Sequence, residues 1–199
     1  MSTSTRSAIR VSTASAVWTL SASIASVALG LRDGSAALVS FGAVQLFDFA
    51  ADVVLVVHFR VGPGADHLER VVLRIVSGGL IATGVVAGSV STVRLIEHQH
   101  ADESTSSIVL AAASLVVLAL LALRKHQLAR ALPSAALRAD GNLSAVGAGL
   151  GGVTLAGVTL TRAFGWTWSD PMAALVIAVG AIGLGVLTHR AGSWESPSR

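Results

Sequence analysis

The sequence predicts an all-α protein, a six-helix transmembrane bundle with cytoplasmic N- and C-termini. Three observations predict it: long charge-free runs, too few charged residues to coat a soluble domain, and a lopsided distribution of Lys and Arg. Of the 199 residues, 53% are hydrophobic and 13% charged, whereas a soluble domain carries roughly a quarter charged residues. The mean hydropathy is +0.72. Ala, Val, Leu, Gly and Ser dominate, and small side chains of this kind suit helices that pack closely in lipid. The absence of Cys excludes disulfides and thiolate metal sites.

Crossing a bilayer takes roughly 17–25 apolar residues in a helix. Five charge-free runs meet that length, at 11–31, 75–93, 104–123, 141–161 and 171–188. A sixth, at about 35–57, is apolar except for Gln45, Asp48 and Asp52. None of the runs alternates with period two and all are too long for strands, so each reads as a helix. The domain organisation that follows is an N-terminal cytoplasmic tail at 1–10, the six-helix domain at 11–188 and a disordered cytoplasmic tail at 189–199. A competing reading of the first run is a cleaved signal peptide, since Arg6 and Arg10 precede it. Only Arg32, Asp33 and Gly34 separate it from the second run, as in a tight helical hairpin.

Basic residues set the orientation. The N-terminus, the second and fourth loops and the C-terminus hold eleven of the fourteen Lys and Arg, and the other three loops hold Arg32, Arg94 and Arg162 alone. That split places both termini in the cytoplasm of a multi-pass cell-membrane protein. A net charge of +3 would suggest nucleic acid in a soluble protein. Here the basic residues are topological signals, and the expected surroundings are the lipid bilayer, with no nucleic-acid partner.

Chemistry concentrates on the second helix. Asp48 and Asp52 are four residues apart, on one helical face with Gln45. An ionised carboxylate at the bilayer centre costs at least ~2.5–3.5 kcal/mol on the gentlest scale. Two on adjacent turns must share protons, meet a cation or line a watery cavity, which is what an ion-translocation site needs. The plainer alternative is a pair of protonated carboxyls hydrogen-bonded between helices. Asp140 and Asn142, at the start of the fifth helix, either complete that polar site or simply suit a helix N-terminus. Gly84 and Gly88, like the glycines of the fifth helix, suit close packing within the bundle or at a dimer seam. His98 and His100 with Asp102 and Glu103 read as a solvated loop, the alternative being a divalent-ion site outside, and Trp166 and Trp168 read as interfacial anchors. No nucleophile elbow, phosphate loop, dinucleotide fingerprint or HExxH is present, so no enzyme is expected and no permanently bound cofactor.

The stretch Gly165-Trp166-Thr167-Trp168-Ser169-Asp170-Pro171-Met172-Ala173-Ala174-Leu175 resembles the start of the last helix in cation diffusion facilitators. So does Ala136-Leu137-Arg138-Ala139-Asp140 at the start of the fifth. The resemblance covers roughly residues 15–190, closest to a short subgroup without the family's cytoplasmic metal-binding domain. It implies proton-coupled efflux of a divalent metal, mostly zinc, commonly by a dimer. The family's ligands are DxxxD or HxxxD on the second helix and HxxxD on the fifth. In one register the second-helix positions fall on Val44 and Asp48, and one turn later on Asp48 and Asp52. The fifth-helix positions fall on Leu143 and Gly147, which offer no ligand. The expected metal site is therefore oxygen-only, built on Asp48, Asp52, Asp140 and Asn142. Such a set favours Mn²⁺, Mg²⁺ or Ca²⁺ over zinc, which normally takes nitrogen or sulfur. The alternative is a relic of that fold that no longer transports and serves as a membrane scaffold or partner subunit.

Overall fold

A computed structural model describes residues 3–61, 66–97, 101–131 and 135–193. They form α1 (Thr3–Asp33), α2 (Ala36–Val61), α3 (Asp66–Ile96), α4 (Thr105–Ala131), α5 (Ala135–Phe164) and α6 (Ser169–Ser193). Each contains a stretch long and apolar enough to cross a membrane. The chain is a multi-pass membrane protein. With an even number of spans, both termini lie at one end of the bundle, hereafter the terminal end.

The helices overshoot the charge-free runs. α1 begins at Thr3 and absorbs most of the expected N-terminal tail, and α6 runs to Ser193, into the expected C-terminal one. The remainder of that tail, 194–199, lies outside the described residues, as do His98 and His100. A charge-free run measures the apolar slab, whereas a helix continues as long as its backbone bonds are met and its charged side chains reach water.

α2 is the hub. It packs on α1, α3, α5 and α6, while α3 pairs with α6 and α4 with α5. The α1–α2 hairpin turns at Gly34, whose φ of 69° suits a residue without a Cβ. The Ser35 N–H bonds the Gly30 carbonyl at 2.8 Å, closing α1 in a Schellman motif. Glycines let the backbones meet: a Cβ at Gly84 would lie 2.6 Å from the Ala178 carbonyl oxygen, and one at Gly185 2.8 Å from that of Ser77. Gly84 therefore serves the α3–α6 seam inside the bundle, and Gly88 faces the same helix at Ala178. Trp166 and Trp168 stack with ring centroids 5.3 Å apart and remain half exposed, consistent with an interfacial position.

The apolar core occupies the middle of the bundle around Phe41, Val44, Leu118, Leu150 and Ile177. Polar side chains are buried on both sides of it. That division, with an apolar plug between two buried polar clusters, positions the site.

Candidate functional site, a buried ion cluster around Lys125

Towards the terminal end, four helices deliver polar side chains to one point. α1 supplies Ser15 and Thr19, α2 supplies Asp52, α4 supplies Lys125, and α5 supplies Asp140 and Ser144. The Lys125 ammonium lies 2.7 Å from Asp52 Oδ1 and 2.8 Å from Asp140 Oδ2. It also donates to Ser15 Oγ and Ser144 Oγ, each at 2.9 Å. The Lys125 side chain is fully buried and those of Asp52 and Asp140 nearly so, at 2% and 8% exposure. Ser15 Oγ donates in turn to Asp52 Oδ2 at 2.8 Å, and Thr19 Oγ1 reaches the same atom at 3.3 Å.

An ammonium has three N–H bonds, yet four oxygens surround this one at 2.7–2.9 Å. The cage is an oxygen shell around a cation, the tip of a lysine. Removing the lysine would leave Asp52 and Asp140 buried without their cation, in a medium where an isolated charge costs several kcal/mol or more.

Asp48 stands one turn along α2 from Asp52, about 6 Å further towards the core at 1.5 Å per residue. It is buried, and its Oδ2 has no hydrogen-bond partner among the described residues. Gln45, one turn further, is fully buried with neither amide atom partnered. Both face Gly147 of α5, where a Cβ would lie 3.1 Å from Asp48 Oδ2 and 3.7 Å from Gln45 Oε1. A side chain at 147 would crowd these two groups, and its absence leaves them facing bare backbone. With every group ionised, Asp48, Asp52 and Asp140 against Lys125 alone leave two negative charges in excess. Such a cluster holds charge capacity beyond its own lysine.

Of the four residues expected as ligands, Asp52 and Asp140 meet at Lys125, and Asp48 lies one turn from Asp52. Asn142 does not join them. Its side chain is exposed and its Oδ1 bonds His126 Nε2 at 2.9 Å on the outside of the α4–α5 pair. Position 142 lies two residues from Asp140, about 200° around the helix at 3.6 residues per turn, so one of the two had to face away. Among the described residues, no three His, Asp or Glu side chains are grouped so as to hold a metal ion. Lys125 is interposed between two of the carboxylates.

Lys125 was counted above among the loop charges with Arg124 and Arg130, and its position inside α4 corrects that assignment. Eleven basic residues less Lys125 leave ten on the terminal side against three, so the asymmetry persists. A signal for it does exist in the sequence. The buried residues of α4 are Ser107, Ala111, Ser114, Leu118, Ala122, Lys125 and Ala129. Lys125 continues this three-and-four spacing of small and apolar residues, whereas Arg124 and Arg130 fall out of phase and are exposed.

A second polar cluster closes the opposite end. Asp170, at the start of α6, accepts from Ser35 Oγ at 2.5 Å, Ala36 N at 2.8 Å and Ala37 N at 3.1 Å. It therefore caps α2 from another helix. Asp33 accepts from Ser104 N at 2.9 Å and Ser107 Oγ at 2.6 Å beside the start of α4, where Ser104 Oγ is the cap, accepting from Ser107 N at 3.3 Å. Arg94 donates to the Gly34 carbonyl, and Arg162 to that of Glu103 at 2.6 Å. Glu103, expected in a solvated loop, is only 5% exposed. Burial, and then the neighbouring Asp170 carboxylate, push its carboxyl up from an ordinary 4.5 to about 8. The folded protein therefore binds a proton at Glu103 that the unfolded chain releases near pH 4.5. Its stability contribution is complete below that pH and is lost as pH rises towards about 8. Glu103→Gln, which replaces the carboxyl with a neutral amide, is expected to flatten the fall in thermal unfolding temperature across that window.

No protein-family model matches the chain, and no curated protein matches it either.

Proposed function

We propose that this protein is a membrane transporter of the cation-diffusion type that exchanges a cation for protons at the Asp48–Asp52–Asp140 cluster. The observation that carries this reading is the buried oxygen cage around Lys125, set beside Asp48, whose Oδ2 has no hydrogen-bond partner among the described residues. Packing alone asks for no such arrangement, because an apolar seam of equal volume is as stable or more so. In this reading the ammonium holds the cation position between cycles. An incoming ion displaces it, and the carboxylates take up protons when the ion leaves. Asp52 and Asp140 are the principal ligands, with Ser15 and Ser144 beside them and Asp48 as the additional carboxylate. The donor set is oxygen throughout, so a hard cation such as Mn²⁺, Mg²⁺ or Ca²⁺ fits better than zinc. The basic asymmetry of the loops orients the terminal end, which is nearer the cluster, to the cytoplasm.

One observation favours a second reading, the scaffold. Lys125 already pairs with both Asp52 and Asp140, and Leu143 and Gly147 bring no ligand. Flux separates the two. Proteoliposomes loaded with a pH dye and a metal-sensitive dye are expected to show Mn²⁺ entry with proton release, and Asp52→Asn to reduce it at least tenfold. An unchanged flux in Asp52→Asn, or none in the native protein for Mn²⁺, Mg²⁺ or Ca²⁺, sides with the scaffold.

A further inference from the structure

At the terminal end, on the outer face of α1, a groove of about 750 Å³ runs along the helix. Ile9, Val17 and Trp18 line it with carbon, Ser21 marks its inner end, and Arg10 and Arg60 stand at the outer end. Arg60 belongs to the last turn of α2, so two helices bring guanidinium groups to one groove. Both arginines are exposed, and among the described residues neither has an acidic partner. From Arg10 to Ser21 is eleven residues, about 16 Å at 1.5 Å per residue. Half of a hydrocarbon core of roughly 30 Å is about 15 Å.

We infer that this groove binds one anionic glycerophospholipid, its acyl chain along α1 and its phosphodiester held by Arg10 and Arg60. Each feature selects part of that molecule. The depth equals one leaflet, so the groove takes a chain that starts at the interface and ends at mid-bilayer. The lining offers carbon along this length and positive charge only at the interfacial end. Guanidinium forks match a phosphate oxygen pair better than a point charge does. Two of them, without an acidic partner among the described residues, favour a headgroup with net negative charge over a zwitterion whose own ammonium would be repelled. A basic pocket between spanning helices is a general form of headgroup recognition. The groove lies on the opposite face of α1 from Ser15 and Thr19, so a lipid seated there would press on the helix that carries two of the cluster's hydroxyls.

Native mass spectrometry of the delipidated protein in neutral detergent tests this, because it reads lipid adducts and oligomeric state together. With equimolar dioleoyl phosphatidylglycerol and dioleoyl phosphatidylcholine, we expect the phosphatidylglycerol adduct to exceed the other at least tenfold. Arg10→Gln with Arg60→Gln should bring the two adducts to parity. Ala14→Phe, which fills the groove floor, should remove both. Arg130→Gln, an exposed arginine on α4, should leave the preference intact. A preference that survives the double Arg substitution overturns the proposal. So does retention of glycerol phosphate as strong as that of the whole lipid, which would make this a free-anion site. A lipid-independent dimer abolished by Ala14→Phe would also overturn it, assigning the groove to a second copy of the chain.

Discussion

Lys125→Met is expected to lower the unfolding free energy by about 3–5 kcal/mol, the usual cost of removing one partner from a buried ion pair. The loss does not come from packing, since Met fills nearly the volume of the lysine stem. It arises because Asp52 and Asp140 remain buried within one cage, each deprived of a bond of 2.7–2.8 Å to a cation. Their repulsion then adds to their desolvation. The origin of the loss can be checked by a compensating change. Neutralising the two paired carboxylates as well, in Lys125→Met with Asp52→Asn and Asp140→Asn, should recover most of the stability, because no charge is then left in the cage without the partner it had there. Denaturant or thermal unfolding in detergent measures both. If the triple variant were no more stable than Lys125→Met, charge imbalance would not be the cause.

Asp170→Ala carries the next largest effect. Its carboxylate satisfies the N–H groups of Ala36 and Ala37, the first two residues of α2, which are orphan donors of any helix start. Ser35 supplies the complementary cap, its Oγ accepting from Leu38 N at 3.2 Å. Losing the carboxylate strands two buried donors at ~1–3 kcal/mol each. A total on the order of 3 kcal/mol is therefore expected in unfolding experiments. Asp170→Asn keeps one acceptor oxygen and should lose about half as much. The contact also spans more than 130 residues of chain, tying α6 to α2. Asp170→Ala should accordingly increase proteolysis near Gly34 and Gly165, where the two turns meet this cluster.

The fold was legible because the membrane imposes a strong rule. Backbone groups without water must bond within the helix, so a run of twenty apolar residues admits one structure. The ends were less legible. Arg6 and Arg10 look like a tail in sequence, but a helix with its surface in water or at headgroups has no reason to stop where hydrophobicity does. At the site, the i, i+4 carboxylates Asp48 and Asp52 were visible because any charge in such a run stands out. Asp140 was visible as an acid at the border of the fifth run. Lys125 was not, since it sits two residues beyond an apolar run and between Arg124 and His126. There a cation reads as the ordinary end of a span. Only the phase of α4, in which Lys125 shares the face of Leu118 and Ala122, separates it from its exposed neighbours. Asn142 was misplaced for the same reason in reverse: adjacency in sequence to Asp140 is not adjacency on a helix.

In the proposed function, the Asp48–Asp52–Asp140 cluster is a cation site whose position Lys125 holds. Equilibrium dialysis of purified protein with Mn²⁺ tests it most directly. A tethered ammonium in contact with two ligand carboxylates competes with any free ion, so the native protein should bind Mn²⁺ weakly. Lys125→Met should bind it at least tenfold more tightly, and Asp52→Asn in that background should abolish the gain. Equal Mn²⁺ affinity in the native protein and Lys125→Met, with or without Asp52, would contradict the account and leave Lys125 as a structural counter-ion alone.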